Sequence, residues 1–443
     1  MNKETVRQRL FIVALLVAVS FLGVAYGMAA FKLELWPYPL FHDAYKAAKA
    51  WYEKLTPPDR YKTHLYLFRT PDTNSGITRY NKEKAYNGLT LFTSGHAQKA
   101  FLISMSGQIV HEWHLPFSSV WTNPPHIGFP VSDDFIYWRK AYLYSNGDLL
   151  VVYRSVGDTP GGYGLVKMDK NSKVIWKYAE HVHHDVTVGS DGKIYTLIHG
   201  LTKEKIPGIK LEPPLLHDSI VMLSNNGQEI KRLSITEVFR HSEFSSILNL
   251  PKQSSIGDLW HTNAVEVLDE QMAEQFPFLE KDQILISMRE IDTIGVVDMD
   301  KEQVVWAIRG PWHAQHDPDF LSNGNMLIFD NLGHYGRGGI SRVIEFDPMT
   351  MEILWQYSGD EKEIFSSGIR AAQQRLPNGN TLITESSRGR IFEVTRDKEV
   401  VWEFISPFRA PHDNHLVAVV CSAQRFHPDD LNFEFSNLNQ NSP

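Results

Sequence analysis

With one cysteine in 443 residues, Cys421, the chain can form neither an intramolecular disulfide nor a cysteine-rich zinc site. A thiol nucleophile would need a partner that no nearby motif provides. Clustered positive charge is also missing. The net charge is −8 and the Lys and Arg residues are scattered. That argues against nucleic acid as the main partner, because phosphate binding needs a concentrated basic face. There is no glycine-rich phosphate loop and no convincing cluster of magnesium-binding carboxylates. Long hydrophobic runs are confined to one place. Residues 10–31, "LFIVALLVAVSFLGVAYGMAAF", run for 22 residues without a charge, enough to span a bilayer as a helix. Lys3, Arg7 and Arg9 precede this run, which places residues 1–9 in the cytoplasm and the rest outside it. Ala25-Tyr26-Gly27 is only a weak cleavage site. The expectation is an uncleaved anchor in the inner membrane, with the main body facing the periplasm.

What the chain does have is turns. After a linker (residues 32–80) with a helix expected at about 40–56, ended by Pro57-Pro58, short apolar runs alternate with turn signals. "YLYSNGDLLVVY", "VTVGSDGKIYTLI", "PDFLSNGNMLIFD" and "QQRLPNGNTLITE" are one hairpin written four times, each around an Asn-Gly or Asp-Gly turn. A second hairpin follows each, as in "RVIEFDPMTMEILWQY", with an aromatic near its end. Two hairpins make a four-stranded antiparallel sheet, and repetition at this period predicts a β-propeller. Full units fall at about 139–178, 184–235, 261–307, 316–357 and 371–404. A partial unit at 86–116 lacks its first strand, and one unpartnered apolar run lies at 415–426. The fold class expected is therefore all-β: a six-bladed propeller over residues 81–426, closed by the C-terminal strand, with an N-terminal transmembrane helix and short helical linker. Residues 427–443 read as a polar tail.

Aligning the units on their turns brings Arg139, His184 and His316 to one position, with His261 there by strand register in the drifted unit. In the last unit it is Ala371, beside Arg370. The first strand of each propeller blade lines the central channel, so these side chains should converge on one mouth of it. His111, His114, His199 and His313 are expected to be structural or solvated, and Asp317 and Asp319 to be turn residues. Three neutral imidazoles could bind zinc. Arginine instead suits an anion with several oxygens, and imidazole can serve as nucleophile or as acid and base. Arg289, on the strand expected to pair with that of His261, adds a second guanidinium. Histidines and arginines around an anion point to sulfuryl or phosphoryl transfer.

The segments "HHDVTVGSDGKIYTL", "WHTNAVEVL", "ILISMRE", "QHDPDFLSNGNMLIFDN" and "AQQRLPNGNTLITESSRGRIFEVTRDKEVVWEF" resemble the bacterial arylsulfate sulfotransferase family, over roughly residues 83–426. The resemblance implies an exported six-bladed propeller. It also implies PAPS-independent, ping-pong transfer of a sulfuryl group from an aryl sulfate to a phenolic or other hydroxyl acceptor, through a sulfated histidine. That nucleophile falls on His316 of the Gln315-His316 pair. His184, His261 and Arg289 match the family's other catalytic positions. Asn263 matches the asparagine of its His-x-Asn segment, and Asn263, Arg139 and Gln315 are expected to bind substrate. No metal and no cofactor is implied, and a homo-oligomer is possible. The chain departs from better-known members in its membrane anchor and in lacking the disulfide that some relatives have. Trp138, Tyr142 and Trp260 are unassigned candidates for stacking on a phenol.

Three other readings stay open at this level. One is a non-catalytic, extracytoplasmic binding propeller. A second is a quinoprotein-like dehydrogenase, suggested by endings such as "KVIWKY". The third is a zinc enzyme at the three histidines.

Overall fold

The computed structural model describes residues 3–33, 35–38, 40–41, 44–45, 67–250, 257–411 and 413–435. It divides into two units, Met1–Asp59 and Arg60–Pro443. In the first unit an α-helix runs Lys3–Leu33, and its Arg7–Leu33 portion is long and apolar enough to cross a membrane. Its large apolar side chains face outward. Residues 38, 40–41 and 44–45 are helical; the rest of the helix expected at 40–56 lies outside the described residues.

The second unit is all β. Five sheets follow one another along the chain, each built from consecutive antiparallel strands. Their first strands are Ile136–Leu143, Val182–Val188, Thr262–Val267, His316–Phe320 and Ala372–Arg375. The observed units match the expected ranges to within three residues at either end, because the turns that delimit them are chemically enforced. Gly147, Gly192, Gly324 and Gly379 all sit at φ between 80° and 87°, the left-handed conformation for which the Asn/Asp-Gly turn selects glycine. A sixth sheet joins Val420–Phe426 to Leu89–Ser94, Lys99–Ile103 and Ile109–His114. Contacts link the first strands in sequence from Ile136–Leu143 to Ala372–Arg375, then to Val420–Phe426 and back to Ile136–Leu143.

Tryptophans tie neighbouring sheets together. The Nε1–H groups of Trp176, Trp355 and Trp402, on fourth strands, donate to Asn225 O (3.0 Å), Arg396 O (2.8 Å) and Met105 O (2.9 Å). Each acceptor lies in the turn between the third and fourth strands of the next sheet. In these three units the aromatic near the end thus satisfies a carbonyl while covering apolar surface.

Three parts of the chain depart from expectation. The linker over 32–80 contains strands: Gly76–Tyr80 adds a fifth strand to the last repeat, and Leu67–Arg69 pairs with Asp413–Ala418 in a separate three-stranded sheet. The run at 415–426 is consequently two strands in different sheets. Part of the expected polar tail packs on the core. Leu431 is buried, and Phe433 and Phe435 pack beside it on the core around Trp113 and Trp138. The spacing Leu431, Phe433, Phe435 gives this extended segment one apolar face, a pattern that its polar composition masks.

Candidate active site

The first strands do not run straight past the centre. Five of the six carry a register shift: between Trp138 and Lys140, His183 and Val186, Thr262 and Ala264, His316 and Asp319, and Val420 and Ser422. A bulge re-aims side chains out of the sheet alternation. The residues so displaced include Arg139, His184, Asn263 and Cys421, and together with His316 and Ala371 they line one small cavity of about 10 Å³. That is room for about one water. His184, His261, Asp317, Arg370 and Ala371 all adopt positive φ, from 47° to 84°. Non-glycine residues there cost on the order of 1–3 kcal/mol each, and such strain gathers where side-chain direction matters.

His316 is 3 % exposed. Its Nδ1 lies 2.8 Å from Asn331 Oδ1 and 3.1 Å from Ala314 O. Asn331 Nδ2 donates to Ser367 O (2.7 Å) and Arg370 O (2.8 Å). With both amide hydrogens committed to carbonyls, Asn331 Oδ1 can only accept. The proton of neutral His316 is therefore on Nδ1, and Nε2 carries the lone pair. Burial, followed by the charges of Arg139 and Arg289, holds the ring well below the usual imidazole range.

His261 is oriented by Asp258. Asp258 Oδ2 lies 2.7 Å from His261 Nδ1, and Oδ1 accepts the His261 backbone N–H at 3.0 Å. Burial works against charge on Asp258, but the His261 partnership outweighs it and draws the carboxyl down to about 2. The His261 ring sits 4.8 Å from that of His184, centroid to centroid. Arg289 begins the turn after the strand paired with Thr262–Val267, and its guanidinium meets Glu290.

His184 is held by a chain of buried groups. Its Nδ1 is 2.6 Å from His183 Nδ1. His183 stacks on His199 at 3.5 Å, with 3° between the rings. Asp218 Oδ1 accepts from His199 Nδ1 at 2.8 Å and faces His183 Nε2 at 3.6 Å, while its Oδ2 accepts from Thr262 N–H at 2.8 Å. A carboxylate facing His183 Nε2 favours the tautomer protonated there. His183 Nε2 makes no hydrogen bond, so this preference is electrostatic; with it, His183 Nδ1 accepts from His184 Nδ1–H, and His184 presents an Nε2 lone pair. Burial, then the charges of His261 and Arg154, keep His184 well below the usual range.

Nitrogens of His183, His184 and His199 lie within 4.8 Å of one another, and this is the one potential metal-ligand group among the described residues. The geometry does not suit a metal. Imidazole lone pairs lie in the ring plane, so two parallel stacked rings cannot both aim at one ion, and His199 Nδ1 is committed to Asp218.

The remaining candidates separate. Arg139 is 5 % exposed and donates to Cys421 O at 2.8 Å. Asn263 Nδ2 donates to Gln315 O at 2.8 Å, and its buried Oδ1 lacks a protein partner. Gln315 is fully buried and its Nε2 reaches Ser287 Oγ, Met288 O and Thr293 O. Its Nε2 is occupied in fixing the segment before His316, while its buried Oε1, like Asn263 Oδ1, lacks a protein partner. Trp138 and Trp260 are fully buried in separate core clusters. His111 bonds Lys170 O at 2.8 Å, and His313 is a half-exposed loop residue bonded to Asp292. His199 is structural, but in direct support of His183.

On the other side of the bulges lies a cavity of about 300 Å³, lined by Lys140, Asp185, Glu266, Asp317, Asp319 and Gln373 among others. Lys140 Nζ is 3.1 Å from Asp185 Oδ1 and 3.6 Å from Asp317 Oδ1. Burial raises the Asp317 and Asp319 carboxyls and, with the nearby charges of Asp317 and Asp185, pushes Glu266 up to about 8. Asp317 and Asp319 thus lie on a first strand and line this cavity, rather than forming a turn.

Asn331, Asp258, His183 and Asp218 escaped the sequence reading. The His183-His184 doublet and the Asp330-Asn331 pair closing the strand beside His316 are local signals that could have found two of them.

Among solved structures, the chain is similar to a protein of unknown function from Bacteroides caccae (TM-score 0.49, 11% identity, 76% of this chain and 98% of that one). It is also similar to virginiamycin B lyase from Staphylococcus aureus (TM-score 0.40, 12% identity, 77% and 88%) and to the WD40 β-propeller domain of Doa1 (TM-score 0.40, 9% identity, 84% and 100%). These likenesses are distant. No curated protein matches the chain significantly. The model of the arylsulfotransferase (ASST) family does match, over residues 140–407, more than half of the chain and a stretch that includes His184, His261, Arg289 and His316. The chain belongs to the arylsulfotransferase family.

Proposed function

We propose that the protein is a PAPS-independent sulfotransferase working by a ping-pong mechanism, with His316 as the nucleophile. The observation that carries this is the fixed tautomer of His316: Asn331 and Ala314 take the Nδ1 proton, leaving a neutral ring with a free Nε2 pair among guanidinium groups. A nucleophile for an anionic sulfate ester should be uncharged, unprotonated at the attacking atom and surrounded by positive charge.

In the first half-reaction Nε2 attacks sulfur, the bond from sulfur to the aryl oxygen breaks, and the phenolate leaves with a proton from His261. Asp258 balances the charge of the His261 ring when it is protonated. In the second, an acceptor phenol returns a proton to His261, directly or by way of the His184 Nε2 pair, its oxygen attacks sulfur, and the bond to His316 breaks. Arg289 and Arg139 hold the sulfuryl oxygens. Charge spreads over the oxygens of a loose transition state, so positioning and electrostatics carry most of the catalysis, by analogy with phosphoryl transfer. Asn263 offers its unpartnered Oδ1 to a donor on the substrate.

The same reading takes the second unit as a six-bladed propeller whose Val420–Phe426 strand closes the ring. The cycle of first-strand contacts and the pairing of that strand with Leu89–Ser94 support it. It takes the Lys3–Leu33 helix as an uncleaved anchor with the propeller in the periplasm, supported by the length of the helix and the basic residues before it.

The test is mass spectrometry of the protein after brief exposure to 4-nitrophenyl sulfate. The expected result is one added sulfuryl group on the peptide containing His316, discharged by a phenol. No adduct and no turnover across several aryl sulfates would leave a binding propeller instead.

A further inference from the structure

Around the site, several guanidinium groups lack a carboxylate partner at ion-pair distance. Arg139, Arg154 and Arg370 form no ion pair among the described residues. All three act on the buried Cys421: Arg139 Nη1 donates to its carbonyl, Arg370 Nη1 lies 3.5 Å from its sulfur, and the thiol feels the charge of Arg154 as well. Arg139 and Arg370 repel each other strongly enough that, after burial, this is the main influence lowering the Arg139 guanidinium. Arg154 and His184 also interact, as do Arg139 and His316, so the cluster abuts the reacting groups.

Arg154 and Arg370 flank Tyr137. Tyr137 is the cross-strand partner of Arg154, its hydroxyl accepts from Arg370 Nη2 at 2.6 Å, and the Arg370 guanidinium lies 5.0 Å from its ring centre. Arg154 Nη1 is buried and has no hydrogen-bond partner. The residues themselves are only partly buried, unlike Arg139. By contrast, Arg289 is paired with Glu290, and Lys140 with Asp185. An aryl sulfate brings a single negative charge. Three unpaired guanidiniums, one with an orphaned buried N–H, leave room for another anion.

Building on the sulfotransferase reading above, we propose that Arg154 and Arg370 form a second-anion subsite beside the sulfuryl site. It takes aromatic substrates that carry a carboxylate or a similar oxyanion in addition to the reacting oxygen. Tyr137 separates the two arginines and fixes the Arg370 fork, so the second anion meets a pair of planar donors rather than a diffuse field.

The experiment compares 4-hydroxyphenylacetate with its methyl ester as acceptors. The pair differs by one charge remote from the phenol. In full-length protein with 4-nitrophenyl sulfate as donor, kcat/KM is expected to favour the acid. Arg154→Gln and Arg370→Gln are each expected to reduce that preference about 10–100-fold, the scale of one charge-assisted hydrogen bond, with the loss appearing mainly in KM. Arg370→Lys should recover part of it. Losses equal for acid and ester would assign both arginines to the sulfuryl group and overturn the subsite. Calorimetric binding of the two acceptors, without donor, keeps the question separate from catalysis. Arginine-dependent preference for the acid in a protein that turns over no aryl sulfate would keep the subsite and overturn the enzyme. Turnover with no preference for the acid would do the reverse.

Discussion

A buried neutral histidine makes a prediction about stability that is independent of catalysis. His316 is charged when the chain is unfolded below pH 6.5, the ordinary imidazole value, and uncharged when folded, because burial and then Arg139 and Arg289 hold it well below that value. Below pH 6.5 the unfolded state therefore binds one more proton at this position. The contribution of His316 to stability falls as pH falls, by about 1.4 kcal/mol per pH unit, until the folded ring itself titrates. Replacement by glutamine removes that proton from both states. It changes no charge in the folded protein across this window, since the ring is already neutral. The comparison thus isolates one group from the opposing shifts of Glu266, Asp317 and Asp319. Between pH 7.5 and 5.5 the wild-type protein should lose about 1.4 kcal/mol relative to His316→Gln, whatever the cost of the substitution at pH 7.5. Urea unfolding of both proteins at the two pH values, followed by tryptophan fluorescence, measures the difference. Parallel pH dependence would refute the neutral, buried ring, and with it the free Nε2 pair. The kinetic counterpart is a rate of His316 sulfation that stays level as pH falls through 6.5.

Four further outcomes follow from the site. Asn331→Leu should slow His316 sulfation about 10–100-fold in single-turnover experiments, less than loss of His316 because Ala314 O at 3.1 Å still accepts the proton. It should also cost about 2–4 kcal/mol of stability in denaturant titration, since His316, Ser367 and Arg370 all lose a partner. Asp258→Asn should make the rate depend more steeply on leaving-group acidity, sparing nitrophenyl sulfates and penalising esters of weakly acidic phenols. Asp218→Asn lets His183 adopt its other tautomer, so the acceptor half-reaction should slow more than the initial burst of phenol. Arg289→Met should lower kcat by about 10²–10³-fold, the usual cost of removing an oxyanion donor, with Arg289→Lys intermediate.

The repeat was legible because its information is local. Asn-Gly and Asp-Gly turns, alternating apolar runs and closing aromatics mark each sheet within a few dozen residues. Aligning those marks also placed His184, His261 and His316 together, since a common register implies a common position on the first strand. What stayed hidden was longer in range. Asn331 acts through carbonyls of Ser367 and Arg370 in the approach to the next sheet, and Asp258 precedes its strand in an irregular segment. The bulges leave the hydrophobic alternation nearly intact while changing where the side chain of Arg139, His184 or Asn263 points. Asp317 and Asp319 have a turn-like composition, and only the convergence of six strands buries them. Gly76–Tyr80 was missed for a related reason. It is a short polar strand whose pairing partner, Val400–Ile405, lies more than 300 residues away.

The sixth sheet sets the order in which the site can exist. Leu89–Ser94 waits for Val420–Phe426, so its edge stays open while more than 300 residues are synthesised or exported. The arriving strand also brings the Cys421 carbonyl that holds Arg139 and the sulfur that contacts Arg370. A chain that ends before residue 420 has the strands of all five consecutive repeats, with His184, His261, Arg289 and His316 on them, yet it lacks the anchor for the arginine wall. Strand insertion therefore completes the site: a truncated or stalled product would carry His316 and Arg289 but lack the Cys421 contacts that hold Arg139 and Arg370.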